Sequence, residues 1–359
     1  MSIHKEEEKI YTNPNLIYLI REKLLKFFSN IASNCIEPKA IEKCLNRLKD
    51  SRDRIKSSGW RPRRIGVVDG GSTIIALNSG YIGIAAAIGI VIDGDRVVDR
   101  VVAEPIIVPE DVDKLSLFPT QLDIDSVIDK LRESLVFETS ANLLDKGIDM
   151  IVIDGPLAPY SALGRIVAFE DIERSALERY RDAVLRFHKM SYEYDIDVVG
   201  FVKRPRSRYL RRMYSECSID VFDHVLLAML LSDGEYFPSI PREIIPEPDI
   251  IRRHEIRDIV DIIKPRFIYT RFSSSMPPYR VEFGQLENDF RDILGYLYSS
   301  RTREGIPYIV MKVDEEVKMS RKLIRDLYDD VRHEYIVKFS GRGYNALIPI
   351  LPEFGELGG

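Results

Sequence analysis

The sequence predicts an α/β fold, a mixed sheet flanked by helices, with a helical arm before it and an extension after it. Two observations carry this expectation. Short β-branched runs alternate with long stretches of helical period, and the first three runs follow one another without an intervening helix. The composition, 45% hydrophobic and 30% charged over 359 residues, supplies enough apolar surface for a large core without disulfides or a structural metal.

Residues 14 to 57 read as helical, with Leu16, Ile17, Ile20, Leu24 and Leu25 at helical spacing and a second start at Pro38 before Ile41, Leu45 and Leu48. The period then changes. Arg64 to Asp69 is a short strand, Tyr81 to Ile92 a longer one, and Asp93-Gly94 a hairpin signal before Val97-Val98 and Val101-Val102. Beyond Pro105 the run Ile106 to Val108 prolongs that third strand. A helix from about Ile124 to Lys146 closes at Gly147, Met150 to Ile153 is a buried-type strand, and a helix over about Asp171 to Tyr194 leads to the strand Val198 to Val202. The order β-β-β-α-β-α-β is the layout of the RNase H-like fold. The second half alternates short helices and strands, which extend or cap the same sheet.

Cys35, Cys44 and Cys217 are odd in number and form no C-x-x-C pair, so neither a disulfide framework nor a zinc knuckle is expected, and a reducing cytoplasm fits. The N-terminus lacks the apolar core of a secretory signal, and no apolar run reaches membrane-spanning length. The Ile, Glu, Lys and Arg content suits a thermophile. A net charge of −5 argues against a protein that merely coats nucleic acid.

Asp69 and Asp154 each follow an apolar strand at an Asp-Gly step, where the bland reading is a turn, as at Asp93-Gly94. On the intervening helix, Ile124, Val127, Ile128, Leu131 and Leu135 form one stripe that includes Glu138, while Glu133 falls opposite. A carboxylate on a buried stripe needs a partner, either an arginine or a shared cation. Two Asp and one Glu, without a His or Cys cluster, select Mg²⁺ or Mn²⁺, and two such ions about 4 Å apart support phosphodiester cleavage.

Lys203, Arg204, Arg206, Arg208, Arg211 and Arg212 follow the fifth strand, with Tyr209 and Tyr214 interleaved; this is either a solvated loop or a DNA contact with bases stacked on the rings. Arg61, Arg63 and Arg64 form a smaller cluster. His188 reads as packing, and Asp223-His224 lacks a nucleophile and reads as structural.

These residues resemble the NurA family of archaeal and bacterial nucleases. The likeness rests on Val67-Val68-Asp69-Gly70 with Ser72, on Leu131-Arg132 with Glu138, on Val152-Ile153-Asp154-Gly155-Pro156-Leu157, on Val199-Gly200-Phe201-Val202-Lys203, and on Gly305-Ile306-Pro307-Tyr308. The resemblance implies Asp69, Glu138 and Asp154 as manganese ligands, Tyr308 as an active-site tyrosine and Lys203 beside the substrate phosphate. The family's histidine after that tyrosine is absent here; Asp314 of Val313-Asp314-Glu315 stands as a fourth ligand, and His333 is another substitute. The resemblance further implies a nuclease domain over residues 61–325, between an arm over 1–60 and an extension over 326–359. It implies 5′–3′ exonuclease action on single- and double-stranded DNA and endonuclease action on single strands. It also implies a role in double-strand-break end resection, a homodimer, a HerA-type hexameric ATPase as partner and two Mn²⁺ or Mg²⁺ ions.

Two rivals stand beside it. Val68-Asp69-Gly70-Gly71-Ser72-Thr73 resembles the phosphate hairpin of sugar-kinase and actin-like ATPases, a class that needs a duplicated second domain. A weakly active DNA-binding adaptor of the translocase is the other.

Overall fold

The computed structural model describes residues 14–34, 38–77, 80–109, 121–157, 170–240, 266–318 and 321–339. Helices α1 (Pro14–Asn34) and α2 (Pro38–Leu48) come first. A 3-10 turn at Lys49–Ser51 then gives way to β1 (Asp53–Arg54), so helical structure stops short of residue 57.

The meander follows as β2 (Arg64–Leu77), β3 (Gly80–Asp93), β4 (Arg96–Val102) and β5 (Ile106–Val108). Gly94, at φ +61°, makes the expected tight turn into β4. β4 and β5 both pair with β3, at Ile88–Asp93 and at Gly83–Ala85, so the run beyond Pro105 continues along the same edge after a break. One strand outruns its expected length: β2 does not end at Asp69 but pairs with β3 from Arg64↔Asp93 to Leu77↔Gly80. Gly70 permits this, because a Cβ there would lie 2.6 Å from Val136 and 3.0 Å from Arg132 of the helix above.

That helix is α3 (Gln121–Leu143), continued by a 3-10 turn to Lys146 and closed by the left-handed Gly147. β6 (Met150–Ile153), α4 (Glu170–Glu193) and β7 (Asp197–Val202) complete the predicted order. The second half supplies α5 (Tyr209–Met213), α6 (Asp223–Leu230), β8 (Glu235–Ile240), β9 (Arg266–Arg271), β10 (Tyr279–Phe283), α7 (Phe290–Ser299), α8 (Tyr308–Val317) and α9 (Arg321–Phe339). All described strands join one sheet, in the order β1-β8-β9-β10-β7-β6-β2-β3-β4 with β5 beside β3. The second half therefore extends the sheet, as expected. β2, β6 and β7 run parallel; every other pairing is antiparallel.

Strand alternation assigns each side chain to a face. Val68, Ile151, Ile153 and Val198 enter the core beneath α3 and α4. Ile65, Val67, Val152, Val199 and Phe201 enter the opposite core with Ile293, Leu297, Ile309, Val310 and Val313 of α7 and α8. A third core joins α2, α5 and α6, and a disulfide crosses it between Cys44 and Cys217. This corrects the expectation of unpaired cysteines: partners 173 residues apart show no spacing signature, and only the packing of α2 against the 3-10 turn at Ser215–Cys217 brings them together. α9 covers the far end of the long hairpin through Ile324 and Tyr328 against Ile75, Ile82 and Ile84.

Candidate metal centre

The period of two that sorts the cores also places the carboxylates. Continuing the series Ile65, Val67 puts Asp69 on the α8 side; continuing Val152 puts Asp154 there; continuing Val199, Phe201 puts Lys203 there. Because β2, β6 and β7 are parallel neighbours, these positions lie along one rim of the sheet. The Asp154 amide donates to Val68 O at 2.9 Å, fixing the two backbones side by side. The turn after Asp154 is held as well: Leu157 N–H donates to Glu282 Oε2 at 2.8 Å, and Gly155 O passes so close to Gly200 that a Cβ there would lie 2.8 Å away.

α8 brings the third carboxylate. Val310 and Val313 bury its inner face, and Asp314 follows at the rim. Carboxylate oxygens of Asp69, Asp154 and Asp314 all lie within 4.8 Å of one another. Lys203 Nζ bonds Asp154 Oδ2 at 2.6 Å and Asp314 Oδ1 at 3.0 Å. Among the described residues, Asp69 accepts the Gly70 amide alone, at 2.7 Å. Burial first, and then the facing charge of Asp154, push Asp69 up to about 7. Burial pushes Asp154 up to about 6, against the pull of Lys203. Burial alone would lower the Lys203 pKa, but Asp154 and Asp314 outweigh it and the net shift is upward. Three hard oxygens with an excess of negative charge over one ammonium fit a divalent cation such as Mg²⁺ or Mn²⁺.

Glu138 is not brought to this cluster. Its carboxylate pairs with Arg179 of α4 through two bonds, at 2.8 and 2.9 Å, and is 30% exposed. The single-stripe reading failed because α3 is buried on two sides, between the sheet and α4. Glu133, expected to face away, is instead buried beside Arg132 (2.6 Å). Burial raises the pKa of Glu133, and Asp154 is close enough to raise it further. Arg132 senses both Asp69 and Asp154, and its buried Nε has no hydrogen-bond partner among the described residues. Arg132-Glu133 is the pair the sequence reading passed over; its signal is two adjacent charges in an otherwise buried helix.

Tyr308 opens α8 beneath Lys312, whose Nζ lies 5.4 Å from the ring. Arg204, Arg206, Arg208, Arg211 and Arg212 are exposed beyond β7, with Arg208 and Arg211 both on Asp220. Tyr209 packs on Phe267 and Tyr214 lies under Arg47, so both rings already have protein neighbours. Asp223 accepts the Tyr209 and Leu210 amides and the Tyr269 hydroxyl, a structural role. Burial pushes His188 down to about 4, keeping it neutral in the core. His333 is exposed on α9.

The shifted carboxylates yield an expected pH dependence. The folded pKa values of Asp69 and Asp154 lie above 3.8, so their contribution to stability is full below that value and is lost as pH rises to about 7. A divalent ion relieves the repulsion. In a thermal melt, saturating Mn²⁺ should raise the midpoint by roughly 5 °C at about pH 8 and far less at about pH 5. An equal rise at both values would refute this assignment.

The family model of the NurA domain matches residues 63–319. No curated protein sequence matches the chain. Among solved structures, the NurA nuclease from Sulfolobus solfataricus superimposes with a TM-score of 0.60 at 17% identity, covering 90% of this chain and 97% of that one. A structure of NurA gives 0.49 at 14% identity over 95% and 100% of the two chains, and NurA with manganese gives 0.48 at 14% over 91% and 98%.

Proposed function

Because this chain belongs to the NurA family, we propose that it is a divalent-metal-dependent nuclease that hydrolyses phosphodiester bonds of DNA at Asp69, Asp154 and Asp314. The observation that carries the reading is the carboxylate cluster itself, two of its members buried and carrying raised pKa values. These three residues would hold the cation, with two ions as the full complement. Bound there, it supplies a Lewis acid for phosphoryl oxygens and lowers the pKa of a coordinated water. Lys203 holds Asp154 and Asp314 in register and offers its ammonium to a substrate phosphate. The exposed arginines from Arg204 to Arg212 track the strand electrostatically.

The proposal extends to 5′–3′ exonuclease and single-strand endonuclease action in end resection, to a homodimer, to a HerA-type ATPase partner and to the cytoplasm. Exposed apolar residues support the assembly: Leu16, Ile17, Ile20 and Leu24 on α1, and Leu323, Leu327 and Val331 on α9. No described helix is long and apolar enough to cross a membrane. A buried disulfide is compatible with the cytoplasm of a hyperthermophile. The ATPase rival needs two related domains, whereas the described strands form a single sheet.

The test is incubation of linear DNA with the protein, Mn²⁺ and ATP. Cleavage with Mn²⁺ and none with a chelator is expected. ATP turnover over intact DNA would overturn the reading.

A further inference from the structure

A cleft of about 330 Å³ opens between the end of β9 and the turn that joins α7 to α8. Its lining is Asp233, Phe272, Ser273, Arg301, Thr302 and Arg303. Two cations face one anion, and that anion already has partners: Asp233 accepts the Tyr298 hydroxyl at 3.0 Å and lies 4.0 Å from Arg301 Nη2. Arg301 is fixed before any ligand arrives. Its guanidinium lies 3.6 Å from the centre of the Tyr298 ring, and Nη1 donates to Tyr298 O at 2.7 Å. Arg303 is exposed at the mouth. Thr302 also lines the cleft, and its Oγ1 is buried with no hydrogen-bond partner among the described residues.

The walls are set closely. Gly305, at φ +80°, lets the turn approach so near that a Cβ there would lie 2.7 Å from Ser273 Cβ. Two buried rings, Phe272 and Tyr279, stand between the cleft and Lys203 of the metal centre. The Phe272 ring packs 6.0 Å from that of Tyr279, and the pairing Arg280↔Val202 sets Tyr279 beside Lys203 across β10 and β7. The Tyr279 hydroxyl is likewise buried without a partner.

We propose that this cleft is a second phosphate subsite, taking a backbone phosphate of the same DNA strand whose scissile bond lies at the carboxylates. A rigid guanidinium matches phosphate oxygens through paired N–H donors. The ordering of Arg301 reduces the entropy lost on binding. The assignment rests on the nuclease reading.

The test compares Arg303→Glu with wild type, in the full chain with Mn²⁺, on a single-stranded oligonucleotide and on thymidine 5′-p-nitrophenyl phosphate. The second substrate has no neighbouring phosphate to reach the cleft. For Arg303→Glu the oligonucleotide KM should rise about tenfold and its dependence on log salt should flatten by about one. Hydrolysis of the small ester should not change. An unchanged oligonucleotide KM, or an equal loss on both substrates, would overturn the subsite and leave the nuclease reading standing. Wild type that cleaves neither substrate would overturn both.

Discussion

Asp69→Asn is expected to reduce Mn²⁺-dependent DNA cleavage on the order of a thousandfold, the loss of several kcal/mol of transition-state stabilisation. The side chain is buried, accepts the Gly70 amide and faces Asp154, so the substitution removes charge with little change of shape. The apo fold should not suffer, since burial already disfavours the charged form of Asp69. Asp154→Asn should cost as much activity and should also loosen Lys203, which bonds it at 2.6 Å. The two glutamates of α3 separate the competing readings of that helix. Glu138→Gln, a change at a partly exposed pair with Arg179, should alter the rate less than about threefold. Glu133→Gln, beside Arg132 and within reach of the Asp154 charge, should lower it more. Single-turnover cleavage with circular dichroism as a folding control measures each. Asp69→Asn at wild-type rate would remove the site from the carboxylate rim.

Opening the disulfide is the largest expected change in stability. Cys44 and Cys217 close a loop of 173 residues, for which chain entropy alone gives about 5 kcal/mol. Both residues are fully buried in the core that joins α2 to α5 and α6. The double replacement Cys44→Ala with Cys217→Ala should therefore lower the denaturant midpoint markedly while leaving cleavage at moderate temperature near wild type. Reductant should act slowly on the folded protein and quickly on the unfolded one. Superimposable unfolding curves for oxidised wild type and the double variant would refute the stabilisation.

The order from β2 to β7 was legible because each element announces itself locally, by alternation, by helical period or by a glycine at a turn. Asp69 and Asp154 were legible for the same reason: each continues an apolar strand, so face and rim follow from counting in twos. Glu133 and Glu138 were not. The count around α3 was sound, but it assumed one buried face, and α4 supplies a second. Asp314 has no local signal at all; it entered through a family resemblance, and its approach to Asp154 depends on α8 crossing the sheet. The Cys44–Cys217 bond likewise depends on how α2 docks, which no spacing along the chain records.

The rim drawn from β2, β6, β7 and α8 has a consequence for biosynthesis. Its members stand at positions 69, 154, 203 and 314, each on a different element, so no contiguous fragment shorter than that span contains them all. A nascent chain on the ribosome carries no complete carboxylate cluster until most of its length has emerged and the last helix of the set has docked.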